Sequence, residues 1–222
     1  MRAFRTILAK DLRVEFRSLR SLAPMALFAA TAFVTFRFAL DRSSLSGGLA
    51  AGVLVSTLLL ASLLAIGRSF LPERDEGGLD SIRLAPVGAG ALYAAKASAL
   101  FCLLLIVELV AAALFWLFFL DSGSGLPAML GVLALMLLGL AAVGTLVSTI
   151  AVMSGARELL VPLLALPLAV PLVIAAAGAG SSLLAAGGPD YEGIGTWLGL
   201  LGLYDGVFLA VGYAIFEFLI DD

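Results

Sequence analysis

Apolar residues run through this chain in long, nearly unbroken blocks, and polar residues gather in the gaps between them. Six blocks reach the ~20 predominantly apolar residues that a helix needs to cross a bilayer. They cover about residues 21–40, 48–67, 97–120, 127–152, 159–184 and 197–219. The connections hold most of the charge: Asp41 and Arg42, Arg68 to Arg83, Asp121, Arg157 and Glu158, and Asp190 and Glu192. The pattern predicts an all-α membrane protein with six transmembrane helices, folded as one domain over residues 1–222. An even number of spans places both termini on the same side.

Ahead of the first block the period changes. At 100° per residue, Arg2, Lys10, Arg13, Arg17 and Arg20 fall within an arc of about 80°. Leu8, Leu12, Phe16 and Leu19 make a neighbouring apolar stripe. Residues 1–20 therefore read as an amphipathic helix lying in the membrane interface, its basic face toward anionic lipid headgroups. The basic stretch is long, and the apolar block after it exceeds the ~7–15 residues of a signal-peptide core, so a retained span is expected. Asp11 and Glu15 sit beside the apolar side, where lipid disfavours them. They are the positions expected to meet a cytosolic partner, unless the segment is only a basic topology signal.

Composition narrows the function. The chain is 62% apolar and 13% charged, against about 25% charged in soluble domains. Too little polar surface remains to cover a water-soluble globule, which excludes a soluble enzyme, a disordered tail and a nucleic-acid-binding domain. There is no histidine, which excludes a Ser-His-Asp triad, a His-ligated heme and any His-based zinc site on this chain. The lone Cys102 lies in an apolar run and reads as a small hydrophobe. No catalytic residue, bound cofactor or metal ligand is predicted. No GxxxxGK[ST] phosphate-binding loop occurs, and Lys10 and Lys96 are the two lysines.

Charge sets the expected orientation. With the N-terminus inside, the inner segments hold Arg2, Arg5, Lys10, Arg13, Arg17, Arg20, Arg68, Arg74, Arg83, Lys96 and Arg157. Arg37 and Arg42 alone fall outside, so the positive-inside rule predicts N-in, C-in topology. The longest inner connection, residues 68–96, contains RSFLPERDEGGLDSIRLAPVG. Gly77-Gly78 is a helix stop, and a short amphipathic helix fits Leu79 to Leu84 before Pro86. So short a helix is unstable alone because nucleation is costly, so it needs a partner surface unless the loop merely joins two spans.

At this loop the chain resembles a known family. FLPERDEGGLDSIRLAPV is similar to the coupling loop of ABC-2-type exporter permeases. Lys10-Asp11-Leu12-Arg13 with Glu15-Phe16, then Arg68-Ser69-Phe70 and Leu84-Ala85-Pro86, resemble CcmB, the permease subunit of the cytochrome c maturation system, also called heme exporter protein B. Length, six spans, the short Arg-containing fourth connection and the proline-rich fifth span extend the likeness over the whole chain. The resemblance implies an ABC-2-like exporter permease with an N-terminal elbow helix in the bacterial inner membrane, itself not an enzyme. It implies a separate ATPase subunit, CcmA-like, which binds the ATP. Further implied partners are a CcmC-like heme-handling membrane protein, a CcmE-like heme chaperone and a second copy of the permease. Heme is then handled by the complex, and the outcome is heme export or release of the heme-loaded periplasmic chaperone. Glu73, Arg74, Glu76, Leu79, Asp80, Ile82 and Arg83 are the residues expected to couple to the ATPase.

Within the spans, Arg37, Glu108 and Asp205 are the notable polar groups. A charge at the bilayer centre costs ~2.5–3.5 kcal/mol on insertion scales, so such groups usually face protein or water. Arg37 and Asp205 fall at depths that permit an ion pair, whereas Glu108 has no evident partner. Span five carries Pro162, Pro167 and Pro171, and residues 174–196 are expected to form either re-entrant helices or a kinked helix with a loop. Span six presents Gly195, Gly199, Gly202, Gly206 and Ala210 on one face, which suits close helix packing within the chain or between two copies. Two other functions fit the pattern: an ABC-2-type permease for a drug, lipid or polysaccharide, and a secondary transporter using Glu108 and Asp205.

Overall fold

The computed structural model describes residues 2–19, 21–42, 44–68, 88–120, 125–154 and 157–221. Seven helices are present among these residues: α1 Arg2–Ser18, α2 Leu22–Ala39, α3 Gly47–Arg68, α4 Ala89–Phe119, α5 Leu126–Ser154, α6 Arg157–Leu183 and α7 Ile194–Asp221. Six of them, α2 to α7, are long and apolar enough to cross a membrane.

The helices differ in how much of their surface the protein uses. Every residue of α5 from Gly139 to Thr149 is buried, because α5 packs against α3, α4, α6 and α7. At the other extreme, α2 buries Leu22, Met25, Ala29 and Phe33, a single stripe at spacings of three and four. Its other faces expose Leu27 and Phe38, as lipid allows. Phe33 closes on Phe115 and Phe119 of α4, with ring centroids 5.6 and 6.2 Å away, and fixes that end of the bundle.

Small residues make the tightest seam. Helix α6 turns Ala165, Ala169, Ala175, Ala176 and Ala179 inward, and α3 presents Ala50, Ala51, Ala61 and Ala65. A Cβ on Gly180 would come 2.8 Å from the Cβ of Ala51. Lipid offers no hydrophobic drive for helix association, so close backbone approach through small side chains supplies the dispersion contact instead. The three prolines of α6 lie on its exposed or half-exposed side, away from this seam.

Two points that the sequence leaves open are decided here. The helix that carries the third apolar block begins at Ala89, eight residues before the block itself. Lys96, which bounds the apolar block in sequence, is 6% exposed inside α4 because a carboxylate from α1 neutralises it. Of the two forms expected of residues 174–196, the structure shows a helix followed by a loop and no re-entrant helices. Helix α6 continues through its prolines to Leu183, turns follow, and α7 starts at Ile194. The turn is anchored where the Gly47 N–H donates to the Leu184 carbonyl (2.5 Å) and the Asp190 N–H to the Ser182 carbonyl (3.1 Å).

Candidate functional site

The elbow between α1 and α2 is built around Glu15. Helix α1 ends with Leu19 in the left-handed region, φ +50°, a conformation that usually costs a non-glycine residue about 1 kcal/mol or more. Helix α2 then starts at Leu22 without a cap from the Ser21 side chain. Glu15 takes that place. Its Oε1 accepts from the N–H groups of Ser21 (2.6 Å) and Leu22 (3.1 Å), and Oε2 accepts from the Ser21 hydroxyl (3.1 Å). A carboxylate at these otherwise unsatisfied amides also meets the positive end of the helix dipole.

One turn earlier, Asp11 points into the bundle. Its Oδ2 lies 2.9 Å from Nζ of Lys96 on α4, and its Oδ1 lies 3.6 Å from Nζ of Lys10. Asp11 and Glu15, expected to meet a cytosolic protein, thus both have duties inside the chain. Together they hold α1 against α4 and set the angle at which the chain enters the membrane. Ile7 of α1 adds an apolar contact to the cluster of Leu92, Tyr93, Ala97, Leu146 and Phe216.

Above this junction, α4 and α7 interlock through two tyrosines. The Tyr93 ring fills the space over Gly212, and the Tyr213 ring fills the space over Gly90; a Cβ at either glycine would strike the ring. The Tyr93 hydroxyl lies 3.3 Å from the Ala142 carbonyl and 3.4 Å from that of Phe208, so one proton reaches both α5 and α7. Tyr93 also packs on Phe216, ring centroids 5.4 Å apart. None of these residues stands out in the sequence, where the glycines are two of 24 and the tyrosines carry no motif.

The intramembrane acids are treated differently. Asp205 is 3% exposed, and neither carboxylate oxygen has a hydrogen-bond partner among the described residues. It sits over Gly139 of α5, where a Cβ would fall 2.5 Å from Oδ1 and 2.7 to 2.8 Å from the methyls of Leu172 on α6. The neighbouring Tyr204 donates its hydroxyl to the Leu168 carbonyl in the proline-rich part of α6. Three helices therefore converge on one buried carboxylate. Glu108 on α4 is 2% exposed, and its Oε2 likewise has no hydrogen-bond partner among the described residues.

The Arg37–Asp205 pair that the sequence permits does not form. Arg37 lies on α2, which packs on α3 and α4, and its guanidinium donates to the Arg42 carbonyl beyond the helix end. Asp205 faces α5 and α6 instead. The glycine stripe of α7 is also resolved: Gly195, Gly199, Gly202, Gly206 and Ala210 are exposed, and nothing within the chain lies within 4 Å of a Cβ at any of these glycines. The coupling positions Glu73, Arg74, Glu76, Leu79, Asp80, Ile82 and Arg83 lie outside the described residues.

No curated protein matches the chain. Residues 2–218, nearly its whole length, match the family described as CcmB protein. That match, over nearly the whole of a chain with six helices apolar enough to cross a membrane, makes it a member of the CcmB family, the family of heme exporter protein B.

Proposed function

We propose that this chain is the membrane permease subunit of an ATP-driven complex of cytochrome c maturation, seated in the bacterial inner membrane. The family match over residues 2–218 carries this reading. ATP is hydrolysed by a separate subunit, in keeping with the lack of a phosphate-binding loop in this sequence. Two copies of the chain stand on two ATPase subunits, with both termini and residues 68–96 on the cytoplasmic side. The coupling segment Leu79 to Leu84 meets the ATPase, and nucleotide-driven closure there moves the spans. The work done is heme export or release of a heme-loaded chaperone on the far side.

The experiment is co-purification with the cognate ATPase, followed by ATP turnover and by holocytochrome c yield in cells. Burial of Leu79 and Ile82 in an apolar groove is worth roughly 1.5–3 kcal/mol each. Leu79→Ala with Ile82→Ala is therefore expected to weaken assembly strongly and lower cytochrome yield, with the spans intact. Normal assembly, turnover and yield in that variant would remove this loop from the transmission path.

A further inference from the structure

A crevice of about 240 Å³ opens between α4, α5 and α7, lined by Tyr93, Ala97, Phe101, Leu138, Leu209 and Tyr213 among others. Its wall is mostly apolar, with Ser98 and the two tyrosines as its polar members, and it opens on the outer surface of the bundle. Water is a poor occupant, having few polar partners there. At 1.5 Å per residue, Tyr93 to Phe101 runs roughly 12 Å along α4. The crevice is therefore elongated along a spanning helix, the direction in which acyl chains run.

One end of it adjoins α1. Ile7 packs into the same cluster as Tyr93, Ala97 and Leu209, and Lys96, one residue from Ala97, holds Asp11. Lys10 and Arg17 follow Ile7 by three and ten residues, on the same edge of α1, and both are exposed. Tyr213, 62% exposed, also lines the crevice, and tyrosines are favoured at membrane interfaces. An apolar slot along the spans, two tyrosines and the cations of the adjoining helix are complements to a tail, a glycerol region and an anionic headgroup.

We infer that this crevice is a binding site for one anionic phospholipid, its acyl tail between α4, α5 and α7 and its phosphate on the Lys10 and Arg17 edge of α1. Such a lipid ties the elbow helix to the spans, adding to the Asp11–Lys96 pair.

The test is native mass spectrometry on the full chain released from nanodiscs of phosphatidylglycerol and phosphatidylethanolamine in equal parts. One retained phosphatidylglycerol is expected. Lys10→Gln with Arg17→Gln should lower the preference for phosphatidylglycerol by about tenfold, given the attraction of each basic residue to an anionic surface. Ala97→Phe, which fills the slot, should abolish retention. Should Ala97→Phe fail to fold, wild-type protein decides the matter through a phosphatidylglycerol with a diazirine in its tail. Cross-links are expected to concentrate between Tyr93 and Phe101 and between Leu209 and Tyr213. Labelling spread evenly over outward faces such as that of α2, or retention without headgroup preference, would overturn the assignment.

Discussion

Two carboxylates drawn in from solvent, the half-buried Asp11 at the elbow and the buried Asp205 in the spans, meet opposite treatment. Asp11 has an ammonium 2.9 Å away, and its neighbour Glu15 collects three donors. Asp205 sits over Gly139 beside Leu172, with no hydrogen-bond donor among the described residues. Burying an unpaired polar group is costly, whereas pairing it returns much of that cost. The elbow therefore owes its geometry to its charges, and the span site holds its charge-bearing group at the expense of stability. A group kept without structural benefit is the one to examine for a part in transport.

That contrast can be broken by substitution, with stability read from unfolding of the protein in lipid nanodiscs. The largest loss is expected from Asp11→Asn. It leaves the buried Lys96 without its carboxylate, and removal of one member of a buried pair typically costs about 3–5 kcal/mol. The partial exposure of Asp11 places the expected value near the lower end, about 3 kcal/mol. A loss below about 1 kcal/mol, the range of exposed pairs, would show that the pair contributes little.

Next comes Gly139→Ala, for which overpacking of about 1–3 kcal/mol is expected because the new methyl meets Asp205 and Leu172. Adding Asp205→Ala should recover much of that loss, a coupling readable from a double-mutant cycle. Strict additivity would mean that the two residues do not touch. Glu15→Ala should cost about 1–2 kcal/mol, the range of a lost helix cap, and Glu15→Gln less, since an amide oxygen still accepts. If both variants lose the same amount, charge rather than hydrogen bonding dominates at the elbow.

The smallest effect on stability belongs to Asp205→Asn. No hydrogen bond is lost, so the change should stay within about 1 kcal/mol in either direction. Cytochrome c yield in cells is expected to fall despite that. A large destabilisation would reveal a partner and erase the contrast, and full yield would return Asp205 to a merely tolerated residue.

Legibility in the sequence follows the same division. The fold class was plain, because a helix must carry about twenty apolar residues in succession to cross the bilayer, and this is a property of one segment at a time. Asp11 and Glu15 were conspicuous for the same reason: two acids beside an apolar stripe are out of place. Their partners were not. Lys96 looked like the end of a loop, since a lysine next to an apolar block normally marks the interface.

The amino-acid sequence by itself determined six spans, the amphipathic first helix, the polar residues stranded among apolar ones and the family. Tertiary structure alone decided which face of each span meets protein and which meets lipid. The reason is physical. In water the polar side of a helix declares which side is buried, but in a bilayer both sides are apolar and the period carries no such signal. Hence Asp205 facing Gly139 rather than Arg37, the two tyrosines seated on glycines of the opposite helix, and the outward turn of the α7 glycine stripe all had to come from packing.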